Sequence, residues 1–391
     1  MCGMCLPHCP TYGKTRNEAD SPRGRISLMQ GLNSGRLAVD DHLLQHLDGC
    51  LTCRACESIC PSGVPYGELI DAARQVLAED HGHGSGTRLG KAFIDSRPLR
   101  QAATHALRFY QASGLQALAR HSGLLGITGL ERRERFLPAI STRRLRPAGD
   151  GPRVALFTGC AGEVFDRQTL ASAITVLTAL GYRVEIPERQ GCCGAIDLHA
   201  GRADRARALV GENLAAFEGD YEAIVSTASG CGAMLAEYSR HGGEAGRAFA
   251  ERIVDINRFI VKALEDRPLD VRPLSRRVAI HAPCSLTHVL KGAGDPRRVL
   301  ETIPGLELVD LPDNARCCGA AGSYMLSQPE MADALREDKL AHLRTLRPEI
   351  LVTSNIGCAL HLRAGIEAEG LGIEVLHPVT LLARQLERAH T

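Results

Sequence analysis

The sequence predicts an α/β protein in two parts, an N-terminal α-helical domain followed by duplicated parallel α/β repeats. Two observations support this. From Arg153 onward one pattern of short apolar runs and cysteines occurs twice, and the runs alternate with helical stretches. Before that, two cysteine runs are joined by forty residues that carry helix-start signals.

The duplication is specific. In the first copy, Val154 to Phe157 lead to Cys160, Val184 to Ile186 precede Cys192, Cys193 and Gly194, and Ile224 to Thr227 lead to Cys231. In the second, Val278 to His281 lead to Cys284, Leu306 to Leu311 precede Cys317, Cys318 and Gly319, and Ile350 to Thr353 lead to Cys358. First cysteine and pair are separated by 31 and 32 residues, pair and last cysteine by 37 and 39. Helical patterns such as Leu170 to Leu180 and Met331 to Leu343 separate the runs, which predicts βαβ units and parallel sheets. Each cysteine group then follows the C-terminal end of a strand, where open α/β sheets place their ligands. Gly194 and Gly319 allow a sharp turn or a close backbone approach to a cluster there.

The N-terminal region carries an unbroken C-x2-C-x2-C-x3-C-P run at Cys50, Cys53, Cys56, Cys60 and Pro61. This spacing holds cubane [4Fe-4S] clusters through thiolates. Cys2, Cys5, Cys9 and Pro10 reproduce the last three cysteines and the proline of a second run. A leading cysteine would fall before Met1, so a longer native chain is expected. In two-cluster ferredoxins the cysteine before proline ligates the other cluster. Cys60 is therefore assigned with Cys2 and Cys5 to one cluster, and Cys9 with Cys50, Cys53 and Cys56 to the second. Zinc held by C-x2-C pairs and buried structural cysteines are the competing readings.

Ser21 as N-cap, Pro22 at the first helical position and Gly31 near the end predict a helix between the two runs. An α-helical ferredoxin domain is the better expectation over a compact β-rich one. Leu69, Ala72, Ala73, Val76 and Leu77 predict a helical face leaving the second run. The domain expectation is 1–80 for this unit, 81–150 for a basic helical linker, 151–270 for the first repeat and 271–391 for the second.

With 44% hydrophobic and 23% charged residues, the composition is that of a soluble globular protein with a sizeable core. Fifteen cysteines, an odd number in metal-like spacings, suit a reducing cytosol rather than a disulfide scaffold. No apolar run approaches a membrane-spanning length, the longest being the glycine-broken stretch from Leu124 to Leu130. The net charge of +1 hides an asymmetry: Arg88 to Arg153 carries thirteen Lys or Arg against four Asp or Glu, leaving the rest at −8. Within it, the flexible run from Gly82 to Gly86 is followed by helical segments such as Leu99 to Ala119. The basic stretch is either a docking face for an acidic subunit or anionic membrane, or a solvated helical face.

The repeat cysteines admit three chemistries. Adjacent Cys192 and Cys193, or Cys317 and Cys318, point in different directions and suit a polynuclear cluster better than one tetrahedral zinc. A dithiol redox pair is the second reading, and buried packing cysteines the third.

Taken together, the chain resembles the glycolate oxidase iron–sulfur subunit family over nearly its whole length. The likeness rests on SPRGRI at Ser21 to Ile26, CLTCRACESICPSGV at Cys50 to Val64, GCCGAIDLH at Gly191 to His199 and ASGCGA at Ala228 to Ala233. RCCGAAGSYML at Arg316 to Leu326 and SNIGCALHL at Ser354 to Leu362 extend it. The wider group includes lactate-oxidising complexes, glycerol-3-phosphate dehydrogenase anchor subunits and heterodisulfide reductase subunits, whose repeats can hold a non-cubane cluster with five cysteines. Here the fifth cysteine is replaced by Met234 and His361, which argues against a disulfide-reducing assignment and leaves His361 as a candidate nitrogen ligand or a core histidine.

The resemblance implies an iron–sulfur subunit with two [4Fe-4S] clusters, and possible further metal at Cys160, Cys192, Cys193, Cys231, Cys284, Cys317, Cys318 and Cys358. It implies FAD-binding partner subunits that oxidise a 2-hydroxy acid and pass electrons here, a quinone acceptor at the cytoplasmic face of a membrane, and no nucleic-acid partner. D-lactate and glycerol-3-phosphate dehydrogenase subunits and a thiol/disulfide enzyme are the alternatives. No G-x-G-x-x-G motif opens a strand-turn-helix unit, so no flavin is expected on this chain. Arg54, Asp197, His199, Ser323 and Tyr324 lie within the motifs and are read as structural or potential-tuning residues. Arg23 and Arg25 are read as salt-bridging residues of the linking helix.

Overall fold

The computed structural model describes residues 2–82, 96–127, 129–141 and 143–386. Most of the Gly82 to Gly86 run and Thr128, within the Leu124 to Leu130 stretch, lie outside these.

Residues 2–82 contain helices at Pro10–Thr15, Pro22–Asn33, Asp41–Asp48, Ala55–Ser58 and Tyr66–His81 and no strand. Local chemistry sets their starts. Pro10 and Pro22 occupy first-turn positions, Ser21 Oγ accepts from Gly24 N at 3.0 Å, and Asp40 Oδ1 accepts from Leu43 N at 2.8 Å. The face that the Tyr66–His81 helix buries differs from the one the apolar spacing predicts. Tyr66, Ile70, Arg74 and Leu77 point inward, whereas Leu69 and Val76 are exposed. Arg74 reverses the face because its guanidinium donates to the carbonyls of Leu47, Asp48 and Cys50 at 3.0, 3.2 and 2.7 Å. Held by these bonds, although its Nε is buried without one, the guanidinium takes the place of an apolar residue in the core.

Two four-stranded parallel sheets follow. The first comprises β1 (Arg153–Phe157), β2 (Arg183–Glu185), β3 (Ala223–Ser226) and β4 (Ile253–Asp255), in the order β2-β1-β3-β4. The second comprises β5 (Arg276–His281), β6 (Leu306–Asp310), β7 (Ile350–Thr353) and β8 (Glu374–Leu376), in the order β6-β5-β7-β8. The two orders are the same once renumbered, and every pairing between the named strands is parallel. The central strands β1, β3, β5 and β7 are continuous buried runs, as sheets covered by helices on both faces require. β4 and β8 are not among the strands expected from the sequence, and ahead of β1 Ala148 makes an isolated antiparallel bridge with Val184.

The two repeats share one core. Val154, Leu156 and Val225 of the first and Val278, Ile280 and Val352 of the second belong to a single buried apolar cluster. The contacts are reciprocal: helix Arg167–Ala179 packs on Pro378–Gln385, and Ile256–Leu264 packs on Asp295–Leu300. In each case the helix after one repeat's first strand meets the last helix of the other, the arrangement of a two-fold dimer built within one chain.

The basic segment lies across both repeats. Its helix Arg97–Ala112 meets Cys160–Phe165 of the first. Glu131–Arg135 reaches the second, where Arg132 donates to Asp333 at 2.5 Å. Many of its arginines are used internally: Arg97 and Arg100 on Glu163, Arg120 on Glu134, Arg135 on Glu131 and Arg153 on Glu185. Among the described residues no helix is long and apolar enough to cross a membrane.

Candidate iron–sulfur centres

The second cysteine run is shaped by unusual backbone. Thr52 and Arg54 both adopt left-handed conformations, φ 49° and 61°. For β-branched Thr52 this is costly, and such strain persists where surrounding structure demands it. The turn brings Cys50, Cys53 and Cys56 around one cavity, and Cys9 completes its wall together with Pro10, Thr11, Arg25 and Tyr66. Four of the seven N-terminal cysteines thus line one cavity.

The cavity suits a sulfur-ligated, negatively charged group. Cys50 Sγ accepts from Thr52 N at 3.4 Å and from Tyr66 Oη at 3.6 Å. Cys9 Sγ lies 3.3 Å from Thr11 Oγ1. Arg25 is 1% exposed; its Nε donates to His46 O at 2.7 Å and its Nη1 to Asp20 O at 2.5 Å and Thr11 Oγ1 at 3.1 Å. Its Nη2 is buried without a hydrogen bond, its nearest acidic atom being Asp20 Oδ1 at 3.6 Å. Burial opposes the Arg25 charge, but Cys50, Tyr66, Cys9 and Asp20 outweigh it and hold the guanidinium protonated. Burial, reinforced by Cys50, Cys9 and Cys5, pushes the Cys56 thiol up. Crowded thiolates of this kind need a cationic centre among them.

Nothing in the sequence marks Tyr66 for this site, and Arg25, expected to form a salt bridge, both pairs with Asp20 and faces Cys50 and Cys9. Arg23 does make the ion pair expected of it, with Glu18 at 2.5 Å. Cys2 is exposed, and Cys5 and Cys60 are partly buried. Cys5 has both Cys9 and Cys2 within electrostatic reach.

In the first repeat, Cys160 Sγ lies 3.4 Å from Cys192 Sγ, Cys192 contacts Cys193, and Cys193 contacts Cys231. Contacts from Cys160 and Cys193 pull the Cys192 thiol well down, with Gly194 N and Arg100 adding to them against burial. In the second, Cys317 contacts Cys284 and Cys318, and Cys318 contacts Cys358. Cys358 Sγ accepts from Asn355 Nδ2 at 3.4 Å. The structure therefore gathers each predicted quartet at the strand ends. Gly194 and Gly319 have φ of +93° and +92°, and a Cβ on Gly319 would lie 2.5 Å from Ala332 O. Their role is a left-handed turn packed on the following helix.

Met234 is core. His361 is fully buried, with Nε2 3.1 Å from Ala332 O and its ring 5.8 Å from Phe136, and burial holds its pKa down. A ring nitrogen of His281 instead lies with the sulfurs of Cys318 and Cys358, all within 4.8 Å of one another.

The N-terminal unit is docked on this cysteine-bearing edge. His199 Nδ1 meets Asp71 at 2.9 Å, Arg74 donates to His199 O at 3.2 Å, Ser58 Oγ meets His288 Nδ1 at 2.9 Å, and Arg54 pairs with Glu57 and Glu237. Asp197 is held by Arg202 at 2.6 Å, and Ser323 precedes the short helix Tyr324–Ser327. Cys53 and Cys284 pack into one cluster with Leu51, Cys317 and Tyr324. Burial and then Cys284 push the Cys53 thiol up. The two repeats meet alongside, through Ser229 Oγ and Ser285 Oγ at 2.8 Å.

Comparison with known proteins agrees with this architecture. Residues 1–64 match the 4Fe-4S dicluster domain, 154–236 and 278–363 the cysteine-rich domain, and 91–137 the linker region of glycolate oxidase iron–sulfur subunits. The chain is 30% identical to a fumarate reductase (CoM/CoB) subunit of Methanothermobacter marburgensis over 85% of its length and 60% of that protein. It is 33% identical to the glycolate oxidase iron–sulfur subunit of Escherichia coli, over 99% of this chain and 93% of the relative. The probable glycolate oxidase iron–sulfur subunit of Bacillus subtilis is also 33% identical, over 97% and 92%. The chain belongs to the glycolate oxidase iron–sulfur subunit family and is an iron–sulfur electron-transfer subunit.

Proposed function

We propose that this chain is the electron-carrying subunit of a glycolate dehydrogenase, taking electrons from partner FAD subunits and delivering them to a membrane quinone. The observation that carries the proposal is the cavity walled by Cys9, Cys50, Cys53 and Cys56 with the buried Arg25 guanidinium beside it. In this reading Cys9, Cys50, Cys53 and Cys56 hold one [4Fe-4S] cluster of an α-helical ferredoxin domain spanning about residues 1–80. Cys2, Cys5 and Cys60 hold the other. When bound, the clusters take up and release single electrons.

The chain's own residues set the conditions for this. Arg25 compensates negative charge next to Cys50 and Cys9, and Tyr66 and Thr52 donate to the Cys50 sulfur. Cys53 and Cys284 pack against one buried cluster that includes Leu51 and Tyr324, which supports a redox path from the helical unit toward the second quartet. Oxidation of the hydroxy acid belongs to the partners in this reading, so substrate choice between glycolate and D-lactate is theirs.

The test is anaerobic mixing of the holoprotein with its flavin subunits. Glycolate should bleach the visible absorption and generate reduced-cluster EPR signals. Bleaching by D-lactate alone would move the assignment to a lactate complex. Thiol release from a disulfide, without response to either acid, would favour the thiol/disulfide alternative. About eight irons per chain is the expected cofactor content.

A further inference from the structure

The two repeats share a topology, but they differ at one position beside their cysteines. Three residues before Cys160 the first repeat has Phe157, 2% exposed, its ring 6.0 Å from that of Phe217. Three residues before Cys284 the second has His281, 1% exposed, at the end of β5. His281 Nδ1 is engaged with Thr353 Oγ1 at 2.9 Å, at the end of the neighbouring strand β7. By distance and angle its buried Nε2 makes no hydrogen bond among the described residues, the Cys318 thiol being its close neighbour. A ring nitrogen of this residue and the sulfurs of Cys318 and Cys358 lie within 4.8 Å of one another.

A buried imidazole nitrogen left unpaired among thiols costs free energy unless something binds it. A histidine whose other nitrogen donates to an oxygen acceptor, which fixes the tautomer, is the usual form of a metal-ligating imidazole. Thiolates with one imidazole suit iron in a sulfide cluster or zinc, and carboxylates are missing from the set that would favour harder cations. His361, at the position of the lost fifth cysteine, uses Nε2 on Ala332 O; its buried Nδ1 also lacks a hydrogen bond, but among the described residues it is His281, not His361, whose ring nitrogen groups closely with the Cys318 and Cys358 sulfurs.

We infer that the second repeat holds a thiolate-rich metal centre to which His281 supplies a nitrogen ligand, and that the first repeat, with Phe157 in that position, lacks this donor. The inference deepens the iron–sulfur reading above and rests on it. The centre lies beside Cys53, because Cys53, Cys284 and Cys317 share one packed cluster.

The test uses anaerobically purified full-length holoprotein in wild-type, His281→Gln and His281→Phe forms, the last reproducing the first repeat. Metal and sulfide are counted, and pulsed EPR of the reduced protein is compared between natural-abundance and 15N-histidine samples. Wild type should contain metal beyond about eight cubane irons. If that metal is iron, its signal should carry a nitrogen coupling that changes with the label. Both variants should lose the coupling and most of the extra metal while keeping the cubane signals, which also reports that they fold. Extra zinc, lost from both variants, would support the same site with zinc as its occupant. No extra metal in wild type, or extra metal retained by both variants without a nitrogen coupling, would overturn the inference alone. Absence of cubane signals from wild type would overturn the iron–sulfur reading beneath it.

Discussion

Tyr324 Oη donates to the carbonyl of Gly49 at 3.0 Å, tying the short helix after the Cys317–Cys318 pair to the residue before Cys50. The bond joins two cysteine sites far apart in sequence, and Tyr324 is itself 6% exposed. Tyr324→Phe keeps the ring and removes the bond, so it should cost about 1 kcal/mol of stability. Chemical denaturation of the holoprotein checks the magnitude. An unchanged midpoint would show that the bond does not hold the helical unit to the second repeat.

Arg25 places a buried cation beside Cys50 and Cys9, which favours the more negative, reduced state of a cluster held there. Arg25→Gln should lower that cluster's midpoint potential by tens of millivolts, on the order expected for one partly screened charge. It should also destabilise the fold by about 3 kcal/mol, because the carbonyls of His46 and Asp20 lose their donors. Arg25→Lys keeps the charge without the fork, so its potential should lie nearer wild type although its stability falls. EPR-monitored redox titration separates the two effects. Equal potentials in Arg25→Gln and wild type would remove Arg25 from the tuning of the site.

Tyr66 acts on the same sulfur by hydrogen bonding rather than by charge. Tyr66→Phe removes the 3.6 Å donor to Cys50 Sγ and leaves the buried ring in place. The potential should fall by less than in Arg25→Gln, since a long neutral donor stabilises thiolate charge less than a cation. The same titration checks this, and a shift larger than that of Arg25→Gln would reverse the order of the two.

The sequence made legible what repeats in apolar runs and cysteine spacing. β1, β3, β5 and β7 are continuous buried runs, and the cysteines after them converge because strand ends share one edge. β4 and β8 escaped notice because each has only three residues lying directly against a helix. Arg25 and Arg74 are buried for a common reason. Nothing local marks a charged side chain as core, and only carbonyls of other segments, with the thiols beside Arg25, make their burial favourable. His281 was read only as the end of a strand, since nothing local marks that its ring faces cysteines 37 and 77 residues on.

His377 joins the two repeats through contacts that should weaken at low pH. Its Nε2–H donates to Thr227 O of the first repeat at 3.0 Å, and its Nδ1 accepts from Val379 N at 3.0 Å, capping the last helix of the second. Both contacts fit the neutral ring. Burial depresses its pKa to about 3 from an ordinary 6.5. A base depressed in the folded state binds its proton more readily when unfolded, so its contribution is complete above pH 6.5 and is lost as pH falls toward 3. At pH 5 the loss from this residue should be on the order of 2 kcal/mol. Asp166, raised to about 7 by burial, works in the opposite direction, its protonated form favouring the fold as pH falls. Comparison of wild type with His377→Asn isolates the histidine, because asparagine can still cap the helix. Between pH 7 and 5 wild type should lose more stability than His377→Asn. Parallel losses in the two proteins would show that protonation of His377 does not weaken the contact between the repeats.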